Sequence, residues 1–277
     1  MARVEANGLG FEVWDEGRGT PVVLLHGFPD TSVMWRYQVR ALNAAGFRTI
    51  APDMRGRGRS DRPTSVADYA LPKLVGDVTG IMDALGIESA HVVGHDWGAP
   101  VAWLMGMLAP NRVDHLVVVS VGAPGAAAPP TLEDLQKSWY RILFQFEGVA
   151  EDLAQRNDWY LMRTLLQGGG DDIERYKATL SEPGALTAAL NWYRANLPLE
   201  RLISSGAGPQ LPPVSAPTMG VFGTADLYLS EDAMVRSASK VNGSWRYERL
   251  EGAGHFIPLE EPERLNALLL DFLPRRT

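Results

Sequence analysis

The chain has 277 residues, 45% of them hydrophobic and 21% charged, which is enough to bury a large core and too apolar for a disordered segment. Its formal net charge of −7 argues against a nucleic-acid partner, which would need a basic face. The absence of cysteine excludes disulfides, thiolate nucleophiles and thiolate metal sites, and suits a reducing, cytoplasmic location.

Met1 to Gly10 has no basic region followed by an apolar run, so no signal peptide is expected. Phe11, Val13 and Trp14 mark a first strand, and Glu16 to Thr20 reads as a turn. Pro21 to Leu25 is a short apolar run of the kind that forms a buried parallel strand, and Thr49 to Ala51 closes another. Between them and the next strand lies the basic run Arg55, Arg57, Arg59 and Arg62, read as a solvated or packed loop. Leu74, Val75, Val78, Ile81, Met82 and Leu85 fall at helical spacing, with Gly86 as a stop. Ala90 to Val93 is a strand, Gly98 to Leu108 a helix, and Leu116 to Val121 a strand. The longest apolar stretch, Ala99 to Ala109, is too short to span a membrane.

The pattern then changes. Ala123 to Pro130 has a linker composition, and Thr131 to about Ser205 is helical and aromatic with no buried strand. A second Pro/Gly-rich stretch, Gly206 to Pro217, precedes a strand at Thr218 to Phe222, a helix, a strand at Trp245 to Leu250 and a last helix at Glu263 to Phe272. Strands alternating with helices imply an α/β fold with a mostly parallel sheet flanked by helices. The expected division is a core of 1–123 and 216–277 interrupted by a helical cap, or lid, of 124–215. Oligomeric state, a homodimer included, is not legible.

Gly94-His95-Asp96-Trp97-Gly98 lies between a strand and a helix, with the spacing of a nucleophile elbow and aspartate in the nucleophile position. Asp is also a common helix N-cap, so the turn alone decides little. His26-Gly27-Phe28-Pro29 follows the apolar strand that would supply the second half of an oxyanion hole, which makes the N–H groups of Phe28 and Trp97 the candidate donors. Asp226 follows one late strand and His255 the next, giving the order nucleophile, acid, base. Of five histidines, His26 and His95 belong to the two turns, His91 begins a strand and His115 precedes an apolar run, leaving His255 as the base.

The blocks HGFPD (26–30), DMRGRGRSDRP (53–63), GHDWGA (94–99) and GAGHF (252–256) resemble the α/β-hydrolase family, and within it the soluble epoxide hydrolases, nearly end to end. The segment Trp139 to Glu151 is similar to the epoxide hydrolase cap segment, and Tyr140 matches its tyrosine. Phe146-Glu147 departs from the acid and proline often found there. Asn191-Trp192-Tyr193-Arg194 resembles the segment that bears the second cap tyrosine, matched by Tyr193. The resemblance implies that Tyr140 and Tyr193 are proton donors for ring opening.

An aspartate with a pKa of about 4 is ionised at neutral pH and can attack an sp3 carbon without a base, giving an ester. With an epoxide as the small-molecule substrate, His255 oriented by Asp226 would activate water against that ester and release a vicinal diol; no metal or organic cofactor is required. Phe28, Trp97 and Phe256 are candidate substrate contacts, while Trp103, Phe144, Trp159 and Trp192 fit either pocket or core. Two rivals share much of this pattern. A haloalkane dehalogenase would use the same Asp96 and His255, but has no purpose for the tyrosine pair. A catalytically silent binder of this fold would have no need for a complete nucleophile, acid and base.

Overall fold

A computed structural model describes residues 1–126, 130–167, 172–199 and 210–276. Among these residues eight strands, β1 (Ala2–Ala6), β2 (Leu9–Gly17), β3 (Thr20–Leu25), β4 (Phe47–Pro52), β5 (Ala90–His95), β6 (Val113–Val119), β7 (Thr218–Gly223) and β8 (Trp245–Leu250), form one sheet in the order β1-β2-β4-β3-β5-β6-β7-β8. The pairs β1–β2 and β2–β4 are antiparallel and every later pair is parallel. The α-helices among the described residues are α1 (Arg36–Ala44), α2 (Leu71–Ala84), α3 (Gly98–Leu108), α4 (Leu132–Lys137), α5 (Trp139–Leu143), α6 (Val149–Leu165), α7 (Ile173–Leu180), α8 (Ala185–Asn196), α9 (Asp232–Arg236), α10 (Ile257–Glu260) and α11 (Pro262–Phe272).

The two-residue period of the strands divides the core into two layers. Val22 and Leu24 of β3 pack with Val39 and Leu42 of α1 and Leu265 and Leu269 of α11. Val23 and Leu25 face the other way, with Leu74, Val78 and Ile81 of α2 and Val101, Ala102 and Met105 of α3. Because both faces are covered, the central strands are continuous apolar runs without polar alternation, which is what made them visible in the sequence.

Several boundaries differ from the sequence reading. The expected turn at Glu16 to Thr20 contracts to two residues, because β2 stays paired with β4 as far as Gly17 opposite Arg48. Strand β6 begins three residues before Leu116 and ends two before Val121. Strand β1 and helix α1 had no expectation. The first is a short edge strand with alternating exposure, and the second buries only a narrow face. The helix expected after β7 is the five-residue α9.

Between β6 and β7 the described elements are all helical, α4 to α8. The end of the expected helical stretch, 200–205, lies outside the described residues, as do 206–209 of the following Pro/Gly stretch. The sequence encodes the starts of these helices: the Thr131 hydroxyl accepts from the Asp134 N–H while the Asp134 carboxylate accepts from the Thr131 N–H, a capping box. The helices are seated on the sheet layer by buried polar contacts. The Trp192 indole donates to the Arg55 carbonyl at 3.1 Å, and Asn196 accepts from the Leu71 N–H at 2.8 Å. From α7, Arg175 pairs with the buried Asp30 at 2.7 Å and the Tyr176 hydroxyl donates to the same carboxylate at 2.9 Å. Asp30 lies two residues after Phe28, so this contact ties α7 to the loop that follows β3.

Candidate active site

All the candidate chemistry lies at the carboxyl ends of the parallel strands, where ligands bind in open α/β sheets. Strand β5 ends in His95, and Asp96 turns the chain into α3 with φ +49, a left-handed conformation that costs a non-glycine residue energy. Gly98 permits that turn. A Cβ there would lie 2.0 Å from the Leu25 carbonyl oxygen, so only glycine lets α3 pack this closely on β3. The Asp96 side chain keeps 15% exposure and is held by the Phe28 N–H, which donates to Oδ1 at 2.6 Å. A Cβ on Gly27 would meet the same carboxylate oxygen at 2.3 Å, so this glycine is what allows the loop to come near enough to donate. The loop is fixed from behind by His26. Burial pushes its pKa down to about 4, and the neutral ring bridges the Gly27 carbonyl and the Met54 N–H at 3.0 and 2.9 Å.

His255 reaches the other carboxylate oxygen. Its Nε2 lies 3.3 Å from Asp96 Oδ2, and its Nδ1 lies 2.7 Å from Asp226 Oδ2. The remaining oxygen of Asp226 accepts the N–H groups of Tyr228 and Leu229 at 2.8 and 3.0 Å, so this buried carboxylate is fully engaged. Burial opposes its charge, but His255 and the two N–H donors outweigh it and hold Asp226 below the usual carboxylate range. The same contest at Asp96, burial against the His255 imidazole, also ends in a lowered pKa and an ionised carboxylate. For His255 burial works against protonation, and the carboxylates of Asp226 and Asp96 overcome it, pushing the pKa up to about 10. His95 is the opposite case. Burial brings it down to about 4, and Nε2 lies 2.8 Å from the His255 carbonyl, which also accepts the Ser120 hydroxyl at 2.9 Å.

An aromatic enclosure faces Asp96. The Tyr193 ring stands edge-on to Trp97 at 5.1 Å and to Phe28 at 5.5 Å, with Tyr140 6.1 Å away. Phe144 packs on Tyr193 at 5.0 Å. Both tyrosines are buried. Burial raises the pKa of Tyr193 well above that of an ordinary phenol and the Asp96 charge adds to it, while for Tyr140 burial raises it and the neighbouring Arg141 pulls the other way. Both phenols therefore keep their protons at neutral pH. The structure thus brings Phe28, Asp96, Trp97, Tyr140, Tyr193, Asp226 and His255 to one place. Phe256 packs against His255 at 5.2 Å and Tyr228 at 6.2 Å. Trp192 abuts Trp97 at 6.0 Å, whereas Trp103 stacks on Trp245 at 6.2 Å within the core and Trp159 lines a small cavity together with Met162 and Tyr176.

Sequence reasoning missed three neighbours. Tyr228 packs edge-on to His255 at 5.0 Å and lies 6.1 Å from Tyr140, closing the ring of aromatics. Glu260 accepts the N–H groups of Gly254 and Phe256 at 2.7 and 2.9 Å, gripping the chain on both sides of His255. Arg57, from the basic run, lies buried with its guanidinium 5.1 Å from the Phe28 ring. Only Glu260 carried a usable signal, a carboxylate in the single turn of α10, five residues after His255. No cluster of metal-ligating side chains occurs among the described residues.

A family model described as alpha/beta hydrolase fold matches residues 20–262. The chain belongs to that family. Within the alpha/beta hydrolases it is 33% identical to Epoxide hydrolase A of Mycobacterium tuberculosis, over 98% of this chain and 96% of that one. A crystal structure of an epoxide hydrolase from Bacillus megaterium in complex with an inhibitor superposes with a TM-score of 0.88 at 26% identity, covering 98% of this chain and 99% of that one. A structure from work on epoxide hydrolases in metagenomes from hot environments superposes with a TM-score of 0.87 at 28% identity, covering 99% and 98%.

Proposed function

We propose that this alpha/beta hydrolase is an epoxide hydrolase that adds water to an epoxide through a covalent ester on Asp96. One observation carries the reading: the Asp96 carboxylate has one oxygen on the Phe28 N–H and the other 3.3 Å from a His255–Asp226 pair, opposite two protonated tyrosines. The activity named for the relatives agrees with it.

In the first step Asp96 Oδ2 attacks an epoxide carbon. A new C–O bond forms, the ring C–O bond breaks, and the departing oxygen takes its proton from Tyr140 or Tyr193, one phenol becoming phenolate. Losing a carboxylate charge beside His255 lowers the imidazole's pKa from its resting value, so the ring gives its resting proton to solvent once the ester exists and becomes competent as a base; it takes a proton back from solvent when the Asp96 carboxylate is regenerated. In the second step His255 Nε2 takes a proton from water as the water oxygen attacks the ester carbonyl carbon. Oδ1, now the carbonyl oxygen, becomes the oxyanion on the Phe28 N–H, with the Trp97 N–H as the second candidate donor. Collapse breaks the ester bond, and the leaving alkoxide takes the proton from His255. The proton on the regenerated Asp96 carboxyl returns to the phenolate, so the sum is epoxide plus water to diol.

The reading includes a core of residues 1–123 and 216–277, and a cap of 124–215 that delivers the two tyrosines. It also includes Phe28, Trp97 and Phe256 as candidate substrate contacts. The test is diol formation from an aryl epoxide such as styrene oxide, with Asp96→Ala as control and halide release from a bromoalkane measured alongside. Diol that disappears with Asp96 supports the reading. Halide without diol would move the chain to the dehalogenases, and neither product from a broad panel would leave a binder.

A further inference from the structure

Arg57 is 3% exposed, and its Nη1 is fully buried with no hydrogen-bond partner among the described residues. Among the described residues no carboxylate pairs with it. The other buried arginine of the same loop shows what a structural role looks like: Arg55 grips Asp77 at 2.7 and 2.5 Å and the Asp68 carbonyl at 2.8 Å. The buried carboxylate of Asp30 is already taken by Arg175 and Tyr176. A guanidinium withdrawn from water without a counter-ion is among the costlier things a protein can hold, and burial brings Arg57 down to about 10.

The backbone aims the side chain inward. Gly56 and Gly58, both with positive φ, turn the chain on either side of Arg57, and the turn is closed by the Arg57 N–H on the Met54 carbonyl at 2.9 Å. The guanidinium lies 5.1 Å from the Phe28 ring, which itself packs on Tyr193 and carries the N–H bound to Asp96. The charges that favour its ionised form are the carboxylates of Asp96, the nucleophile of the proposed reaction, and of Asp30.

We infer that Arg57 recognises a negatively charged group on the substrate, so that the substrate class is an epoxide bearing a carboxylate close to its ring. This deepens the epoxide hydrolase reading and rests on it. A carboxylate approaching Asp96 inside an aromatic enclosure would be repelled, and Arg57 supplies the compensating charge at the place where the repulsion is felt. A planar guanidinium with free donors suits a carboxylate.

The test uses two oxiranes of one shape: trans-3-phenyloxirane-2-carboxylate, and trans-1-phenylpropylene oxide with methyl in place of carboxylate. The ratio of their kcat/KM values, acid over neutral, should exceed ten in the wild type and fall roughly thirty-fold or more in Arg57→Met, with partial recovery in Arg57→Lys. A wild-type ratio below one, or a ratio that Arg57→Met leaves in place, would overturn the inference. Should Arg57→Met fail to fold, the wild type suffices: trans-cinnamate should inhibit turnover of the neutral oxirane at least ten-fold more tightly than trans-β-methylstyrene, and equal inhibition would refute the assignment. Diol from the neutral oxirane alone removes the carboxylate inference and keeps the hydrolase. Diol from neither removes both.

Discussion

Replacing His255 with glutamine should separate the two halves of the proposed reaction. The nucleophile does not depend on the imidazole for its position, because the Phe28 N–H still holds Oδ1 at 2.6 Å. Losing the ring removes two causes of the nucleophile's lowered pKa and lets burial push it upward, while the Phe28 N–H still favours the ionised carboxylate that attacks. Ester formation should therefore proceed, while hydrolysis loses its base. General-base assistance contributes about 10²- to 10⁴-fold, or roughly 3 to 5 kcal/mol of barrier, so an ester that turns over in seconds would persist for minutes to hours. Intact-mass measurement of His255→Gln exposed to styrene oxide should show one added substrate mass, and peptide mapping should place it on the segment containing Asp96. Normal turnover by this variant, or an adduct on another residue, would refute the assignment of His255 as the base for an Asp96 ester.

Three further outcomes are expected. Tyr140→Phe and Tyr193→Phe should each slow alkylation by about 10-fold or more, and the double variant should nearly abolish it while leaving hydrolysis of a preformed ester much less affected, as rapid-quench kinetics would show. Glu260→Gln leaves one of the Gly254 and Phe256 N–H groups without an acceptor, which should destabilise the fold by about 1–3 kcal/mol and slow ester hydrolysis more than ester formation, read from thermal unfolding and single-turnover rates. The base works only when neutral, so ester hydrolysis should rise with pH through the ester-state pKa of His255, below the resting value of about 10. Asp226→Asn removes the carboxylate that raises this pKa, so the rising limb should move to lower pH while its plateau drops, measured as ester decay across pH 5 to 10.

The parts that were legible in the sequence are those whose geometry is local. The parallel strands announced themselves because burial on both faces leaves no room for polar alternation. Gly94 to Gly98 and His26 to Phe28 were legible because each turn is encoded in the handful of residues that make it. Tyr140 and Tyr193 come together from helices more than fifty residues apart, and no spacing rule links them; only resemblance to other cap segments picked them out. Arg57 was hidden for a different reason. Four arginines in a turn-rich run look alike on paper, and their spacing shows neither that Arg55 and Arg57 are the buried two nor that, among the described residues, only the guanidinium of Arg55 of these meets a carboxylate. Tyr228 lies in a loop two residues after Asp226, where side-chain direction follows from the two N–H bonds that wrap the carboxylate and not from any periodicity.

The left-handed backbone at Asp96 sets two stability effects against each other at the proposed nucleophile. Glycine there would relax a conformation that costs a side-chain-bearing residue about 1 kcal/mol. It would also take from the Phe28 N–H and the His255 imidazole a carboxylate whose lowered pKa means that its charge favours the folded state at neutral pH. Heat resistance at residue 96 therefore does not report on turnover, and the two have to be selected together in this enzyme, with stabilising changes sought away from that turn.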